Sequence, residues 1–163
     1  MSDVVKHEQL VERAGRWLCN SRRCKLVIVN AKPWACQEHP DAIGWLPGGE
    51  SIVVECKVSQ ADAAVDLRKP WRRSSKGMGY QKYYLATDVV KWPDYMERGA
   101  GLLRLKGNRV VVEREAEKRQ DRAWSEELCL LLAQLSSGHA MIGMPEHQGD
   151  VTRAAGEGVE RDR

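Results

Sequence analysis

Residues 40–57 read Pro40-Asp41-Ala42-Ile43-Gly44-Trp45-Leu46-Pro47-Gly48-Gly49-Glu50-Ser51-Ile52-Val53-Val54-Glu55-Cys56-Lys57, and their pattern decides the fold. Two short apolar runs flank the break Leu46-Pro47-Gly48-Gly49-Glu50, which predicts two strands joined by a turn. A hairpin folded about Gly48 sets Asp41 opposite Glu55, because each lies seven residues from that centre. Strand alternation then places Glu55 and Lys57 on one face and Cys56 on the other. Two carboxylates and an amine would meet on one side of a small sheet. Such a group suits a divalent metal ion and a polarised water. A slip of one residue in the register would separate the acids.

Upstream of the hairpin, residues 4–19 carry Leu10, Val11, Ala14, Trp17 and Leu18 at helical spacing, after a candidate cap at Ser2 or Asp3. Glu8 sits three residues before Val11 at the border of that stripe, so it either enters a cleft or stays solvated. Residues 22–24 form a turn, and 25–30 (Lys-Leu-Val-Ile-Val-Asn) form a β-branched strand. A less regular passage with Trp34, Cys36 and His39 leads into the hairpin.

Downstream, Ser59-Gln60-Ala61-Asp62 predicts a helix start with Asp62 as the capping-box acid. Ala61, Ala64, Val65 and Leu67 supply its apolar spacing, and Pro70 ends it near Lys69. Asp66 reads as a surface carboxylate.

Between residues 68 and 82 stand six cations and no acid: Arg68, Lys69, Arg72, Arg73, Lys76 and Lys82. Trp71, Tyr80, Tyr83 and Tyr84 lie within or just after this tract. Cations neutralise phosphates and aromatics stack on exposed bases, so the tract is a candidate nucleic-acid surface. The plainer reading is a solvated basic face with tyrosines packed beneath it. Its position directly after the carboxylate–lysine strand favours nucleic acid.

Residues 81–85 predict a fourth core strand, and 102–105 with 109–113 a hairpin about Gly107-Asn108. A terminal helix over 122–135 has Trp124, Leu128, Leu131, Leu132 and Leu135 at helical spacing. The expected organisation is one domain over 1–137 and a polar, disordered tail over 138–163. The fold class is α/β, a small mixed sheet flanked by helices.

The 163 residues, 42% apolar and 30% charged, suit one globular domain with an ordinary core. No run approaches the ~20 apolar residues of a membrane span. The first ten residues hold Asp3, Lys6, His7 and Glu8 and lack the apolar core of a signal peptide. These features predict an intracellular, cytoplasmic protein without a membrane partner. A net charge of +3 is too small to identify a partner by itself. Among five cysteines, Cys19, Cys24 and Cys36 could join His39 in a zinc site, which would make the protein a zinc-stabilised interaction module. Their spacings match no zinc-ribbon pattern, and burial as small core residues competes.

Phosphodiester hydrolysis needs an in-line water and a stabilised phosphate charge. Mg²⁺ takes one or two carboxylates and completes its octahedron with waters and substrate oxygens. Asp41 and Glu55 supply the carboxylates, the Cys56 backbone carbonyl between Glu55 and Lys57 is a further candidate ligand, and Lys57 can orient the water or offset phosphate charge.

Pro40-Asp41, a spacer and Glu55-Cys56-Lys57 resemble the signature of the PD-(D/E)xK nuclease superfamily. The predicted order of helix, three strands, helix and strand (αβββαβ) resembles its restriction-endonuclease-like core, here with an added hairpin and C-terminal helix. Val58-Ser59-Gln60-Ala61-Asp62, Asp66 and Lys69, Tyr83-Tyr84-Leu85-Ala86 and Gly101-Leu102-Leu103 resemble MmcB-like DNA repair proteins and related phage nucleases. The resemblance covers roughly residues 5 to 115. It implies a bacterial or phage-encoded, Mg²⁺- or Mn²⁺-dependent DNA endonuclease of repair, recombination or phage DNA processing. Asp41 and Glu55 would bind metal, Lys57 would assist catalysis, and Glu8 matches an acid on the first helix of that fold. Cys56 stands where an aliphatic residue is usual, and the segment 72–79 is longer and more basic than in the repair branch. The rival is a DNA-binding protein that keeps the fold and does not cut. A homodimer and RNA binding both stay open.

Overall fold

The computed structural model describes residues 6–31, 36–66, 77–91 and 99–137. The elements run α1 (His7–Asn20), β1 (Leu26–Val29), β2 (Ala42–Trp45), β3 (Ser51–Lys57), α2 (Gln60–Asp66), β4 (Gln81–Ala86), β5 (Gly101–Lys106), β6 (Arg109–Arg114) and α3 (Trp124–Ser137). The fold is a mixed α/β architecture whose six strands lie side by side in chain order. β1–β2, β2–β3 and β5–β6 pair antiparallel, while β3–β4 and β4–β5 pair parallel.

The hairpin of residues 40–57 folds about Gly48. Leu46 N–H donates to the Glu50 carbonyl (2.8 Å), and Gly49 N–H donates to the Leu46 carbonyl (2.9 Å). Gly49 takes a φ of 84°, a left-handed conformation that strains residues with a Cβ. Every residue of β2 and β3 is buried, as expected for strands covered on both faces.

Alternation divides the core in two. On one face α1 lays down Leu10, Val11, Ala14, Trp17 and Leu18 against Val27, Ile52, Val54, Cys56, Tyr83 and Leu85. The predicted helical stripe is thus the buried one, each leucine contributing roughly 2 kcal/mol by removal from water. On the other face Ile28, Ile43, Val53 and Met78 pack with Leu130 of α3, and Ala63 of α2 packs on Ala86 and Val90. At the α2 start Ser59 Oγ accepts from Asp62 N–H (3.2 Å), one half of a capping box, while Asp62 Oδ2 accepts from Val58 N–H (3.4 Å), one residue before Ser59. Leu67 and the helix end near Lys69 and Pro70 lie outside the described residues.

Two apolar stripes differ from expectation. In α2 the contact residue is Ala63, and Val65 is exposed. In α3 Trp124, Leu128, Leu132 and Leu135 are all more than half exposed, while Leu131 packs partly buried on the core and Leu130 and the carboxylate Glu127 point inward. A buried polar network sets this rotation of α3. Glu127 accepts from Ser51 Oγ (2.8 Å), Gly79 N–H (2.9 Å) and Trp45 Nε1 (3.3 Å), with Arg122 Nε 3.6 Å away.

Gly101 at the start of β5 fits a gap no side chain could enter. A Cβ there would lie 2.3 Å from the Tyr83 ring and 2.8 Å from the Ala116 amide. Gly101→Ala is therefore expected to lower stability by about 1–3 kcal/mol or more, read as an earlier denaturant midpoint with an unchanged slope.

Candidate metal–carboxylate site

The site is assembled by the β2–β3 register. Ala42 pairs with Val54 and Ile43 with Val53, so one further step sets Asp41 opposite Glu55. Asp41 is held there twice. Its carbonyl accepts from Asn30 N–H (2.9 Å), continuing the β1–β2 ladder, and its Oδ2 accepts from Cys56 N–H (2.7 Å). The N–H and C=O of one strand residue project to the same strand edge. The Cys56 carbonyl therefore points to the edge at which Asp41 sits.

Glu55 and Lys57 share the face of β3 that α2 and α3 cover, and both are buried, at 3% and 4% exposure. Lys57 Nζ lies 4.0 Å from Glu55 Oε2. Along β4 the register sets Tyr84 beside Glu55 and the small Ala86 beside Lys57. Asp41 is less enclosed, its side chain 20% exposed at the mouth of the group. Its carboxyl is pushed above the ordinary aspartate value, first by burial and next by the neighbouring charge of Glu55. The Cys56 N–H, His7 and Lys57 oppose that rise.

Cys56 alternates to the opposite face and is wholly buried beneath α1. Burial pushes its thiol well above the ordinary value, and Asp41 and Glu55 add to the rise, so the reactive thiolate is suppressed. Cys56 is a packing residue, and its side chain does not open toward solvent.

Not every candidate joins the group. Glu8 is exposed in the first turn of α1, and the α1 residue that reaches Asp41 is its neighbour His7, with Nε2 3.4 Å from Asp41 Oδ2. Lys82 is corrected as a phosphate contact: its side chain is 2% exposed and its ammonium lies 2.6 Å from Glu38 Oε1. Tyr83 and Tyr84 are likewise buried, at 0% and 1%, and offer no face to a base. Arg68, Lys69, Arg72, Arg73 and Lys76 lie outside the described residues. The four-ligand zinc site is also corrected. Cys24 packs in the cluster under α1, whereas Cys36 packs in the cluster on the opposite face of the sheet. Both cysteines lie in connecting segments, outside the strands, and no sequence spacing reveals which face each segment packs on.

Sequence reading passed over Glu38, Glu127 and Arg122, which are all buried. Glu38 and Glu127 also take partners far away in the chain: Lys82 is 44 residues from Glu38, and Ser51 is 76 residues from Glu127. No local pattern carries that information.

Among the described residues no group of three or more His, Cys, Asp and Glu side chains is placed to hold a metal ion. The donor set at the site is two carboxylates and a backbone carbonyl. All are hard oxygen ligands, and the neighbouring Glu55 charge raises the cost of ionising Asp41, a cost that a cation would offset. By ligand chemistry that set suits Mg²⁺ or Mn²⁺, and it lacks the soft ligands of a structural zinc site. No helix among the described residues is long and apolar enough to cross a membrane.

Neither a family model nor a curated protein matches the chain. Among solved structures it is similar to SPO1766, a protein of unknown function from Silicibacter pomeroyi, at 20% identity and a TM-score of 0.60. That likeness covers 82% of this chain and 87% of the other. At such identity it shows a shared fold.

Proposed function

We propose that the protein is a metal-dependent DNA endonuclease that hydrolyses phosphodiester bonds with Asp41, Glu55 and Lys57. One observation carries the reading: the hairpin register brings Asp41 opposite Glu55, with Lys57 4.0 Å from Glu55 on the same buried face. Burying Glu55 and Lys57 and partly enclosing Asp41 beside them is costly, and a binding module gains nothing from it. The element order α1-β1-β2-β3-α2-β4 supports the further assignment to a restriction-endonuclease-like core.

Asp41 and Glu55, with the Cys56 carbonyl, would hold Mg²⁺ or Mn²⁺. When bound, the ion supplies charge to a phosphate oxygen and acidifies water. The protein's own groups do the rest. The Cys56 N–H fixes the Asp41 carboxylate in one orientation. Lys57, enclosed where the local dielectric is low, aims its ammonium beside the Glu55 carboxylate and can orient the attacking water or offset charge on the phosphate. Arg68, Lys69, Arg72, Arg73 and Lys76 are proposed to neutralise the DNA backbone, through contacts that weaken with salt.

A cleavage panel tests this. Linear, nicked, branched and single-stranded DNA are incubated with the protein in Mg²⁺, Mn²⁺ or EDTA. At least one DNA form should be cut with metal and none in EDTA. Binding without cutting in any metal would leave the non-catalytic rival. Neither binding nor cutting would remove DNA from the account.

A further inference from the structure

Glu38 does more than close an ion pair. Its carboxylate is 3% exposed, with Oε1 2.6 Å from Lys82 Nζ and Oε2 accepting from Met78 N–H at 2.7 Å. It stands three residues before Asp41, on the segment that delivers Asp41 to the site. Lys82 lies in register beside Val53, one same-face position from Glu55. The diagonal neighbour of a strand residue is about 7–8 Å away, within reach of a lysine side chain. Among the described residues this face therefore holds two buried ammonium groups, Lys57 and Lys82. Glu127 is engaged with Ser51, Trp45, Gly79 and Arg122.

We propose that Glu38 is a positioning residue for the metal site: it holds Lys82 so that this second ammonium does not compete with a cation for Glu55. An ammonium against Glu55 would act as a tethered competitor. The same carboxylate sets the Met78 amide, just beyond the segment that carries Arg72, Arg73 and Lys76. The inference rests on the reading of Asp41 and Glu55 as metal ligands.

The test is the affinity for Mn²⁺ alone, without DNA, followed by electron paramagnetic resonance on folded protein. Glu38→Gln keeps the shape and an acceptor for Met78 N–H but removes the counter-charge of Lys82, and should weaken Mn²⁺ binding about tenfold or more. Glu38→Gln/Lys82→Met removes the competitor and should recover more than half of that loss on a logarithmic scale. A merely structural loss would not be repaired in this way. Should Glu38→Gln not fold, Glu38→Gln/Lys82→Met is compared with Lys82→Met: equal affinity supports the proposal and a weaker double variant overturns it. Wild-type affinity in Glu38→Gln, or a double variant that recovers less than half, also overturns it. The underlying reading is judged separately. If Asp41→Asn and Glu55→Gln leave Mn²⁺ binding unchanged, or the wild type binds none, the metal reading falls and the inference with it. If those two variants abolish binding while Glu38→Gln does nothing, only the inference falls.

Discussion

Substituting Lys57 with methionine should reduce DNA cleavage by a factor of about 10²–10⁴, and raising the metal concentration should not restore it. The reason is the division of labour at the site. Glu55 and Asp41 are oxygen donors, so Glu55→Gln and Asp41→Asn should weaken metal affinity, and part of their lost activity should return in excess Mn²⁺. Lys57 offers a proton donor and a positive charge, neither of which a second equivalent of metal replaces. Methionine retains most of the lysine stem's volume, so packing beneath Ala86 is disturbed little. DNA affinity measured in Ca²⁺ should stay within a few-fold of the wild type. Equal cleavage by all three variants and the wild type would remove these residues from the chemistry. Recovery of the Lys57 variant in Mn²⁺ would instead recast the lysine as a structural counter-ion of Glu55.

The largest loss of stability is expected from Glu127→Ala. Glu127 is 2% exposed and accepts hydrogen bonds from a hydroxyl, an indole and a backbone amide. It also faces Arg122, whose side chain is 1% exposed. Truncation would leave that guanidinium buried without its nearest carboxylate and three donors without their acceptor. Breaking a buried pair from one side costs about 3–5 kcal/mol. In a domain of this size that corresponds to a melting temperature lower by roughly 10–15 °C. Glu127→Gln keeps the acceptor and the volume, so it should cost clearly less. If alanine and glutamine variants melt within about 2 °C of the wild type, the network does not hold α3 to the sheet.

The hairpin was legible because its symmetry is local: alternation and a Pro-Gly-Gly turn determine which residues oppose one another. α1 was legible for the same reason, as Leu10, Val11, Ala14, Trp17 and Leu18 recur at one period and pack on one surface. α3 shows the limit of periodicity. Trp124, Leu128, Leu132 and Leu135 keep helical spacing, yet Glu127 and Leu130 face inward instead, with Glu127 met by Ser51, Gly79 and Arg122. Lys82 shows the same limit for charge. In the sequence it stands among cations; in the fold it is the inward residue of a central strand, paired with an acid 44 residues away. His7 was hidden by a simpler competition, since the adjacent Glu8 matched an expected acid and the imidazole lies nearer Asp41.

The opposed pairing of β2 and β3 imposes a parity rule on change in this hairpin. Residues beyond Gly48 and Gly49 can be added to the turn tip while both arms keep their faces. Lengthening each arm by one residue would keep the two acids opposite each other but rotate the pair onto the surface where α1 packs, among Leu10, Val11 and Ile52. Only a second residue in each arm would bring them back. Tolerated length variation between Asp41 and Glu55 should therefore collect at the tip, or come in steps of two along both strands at once.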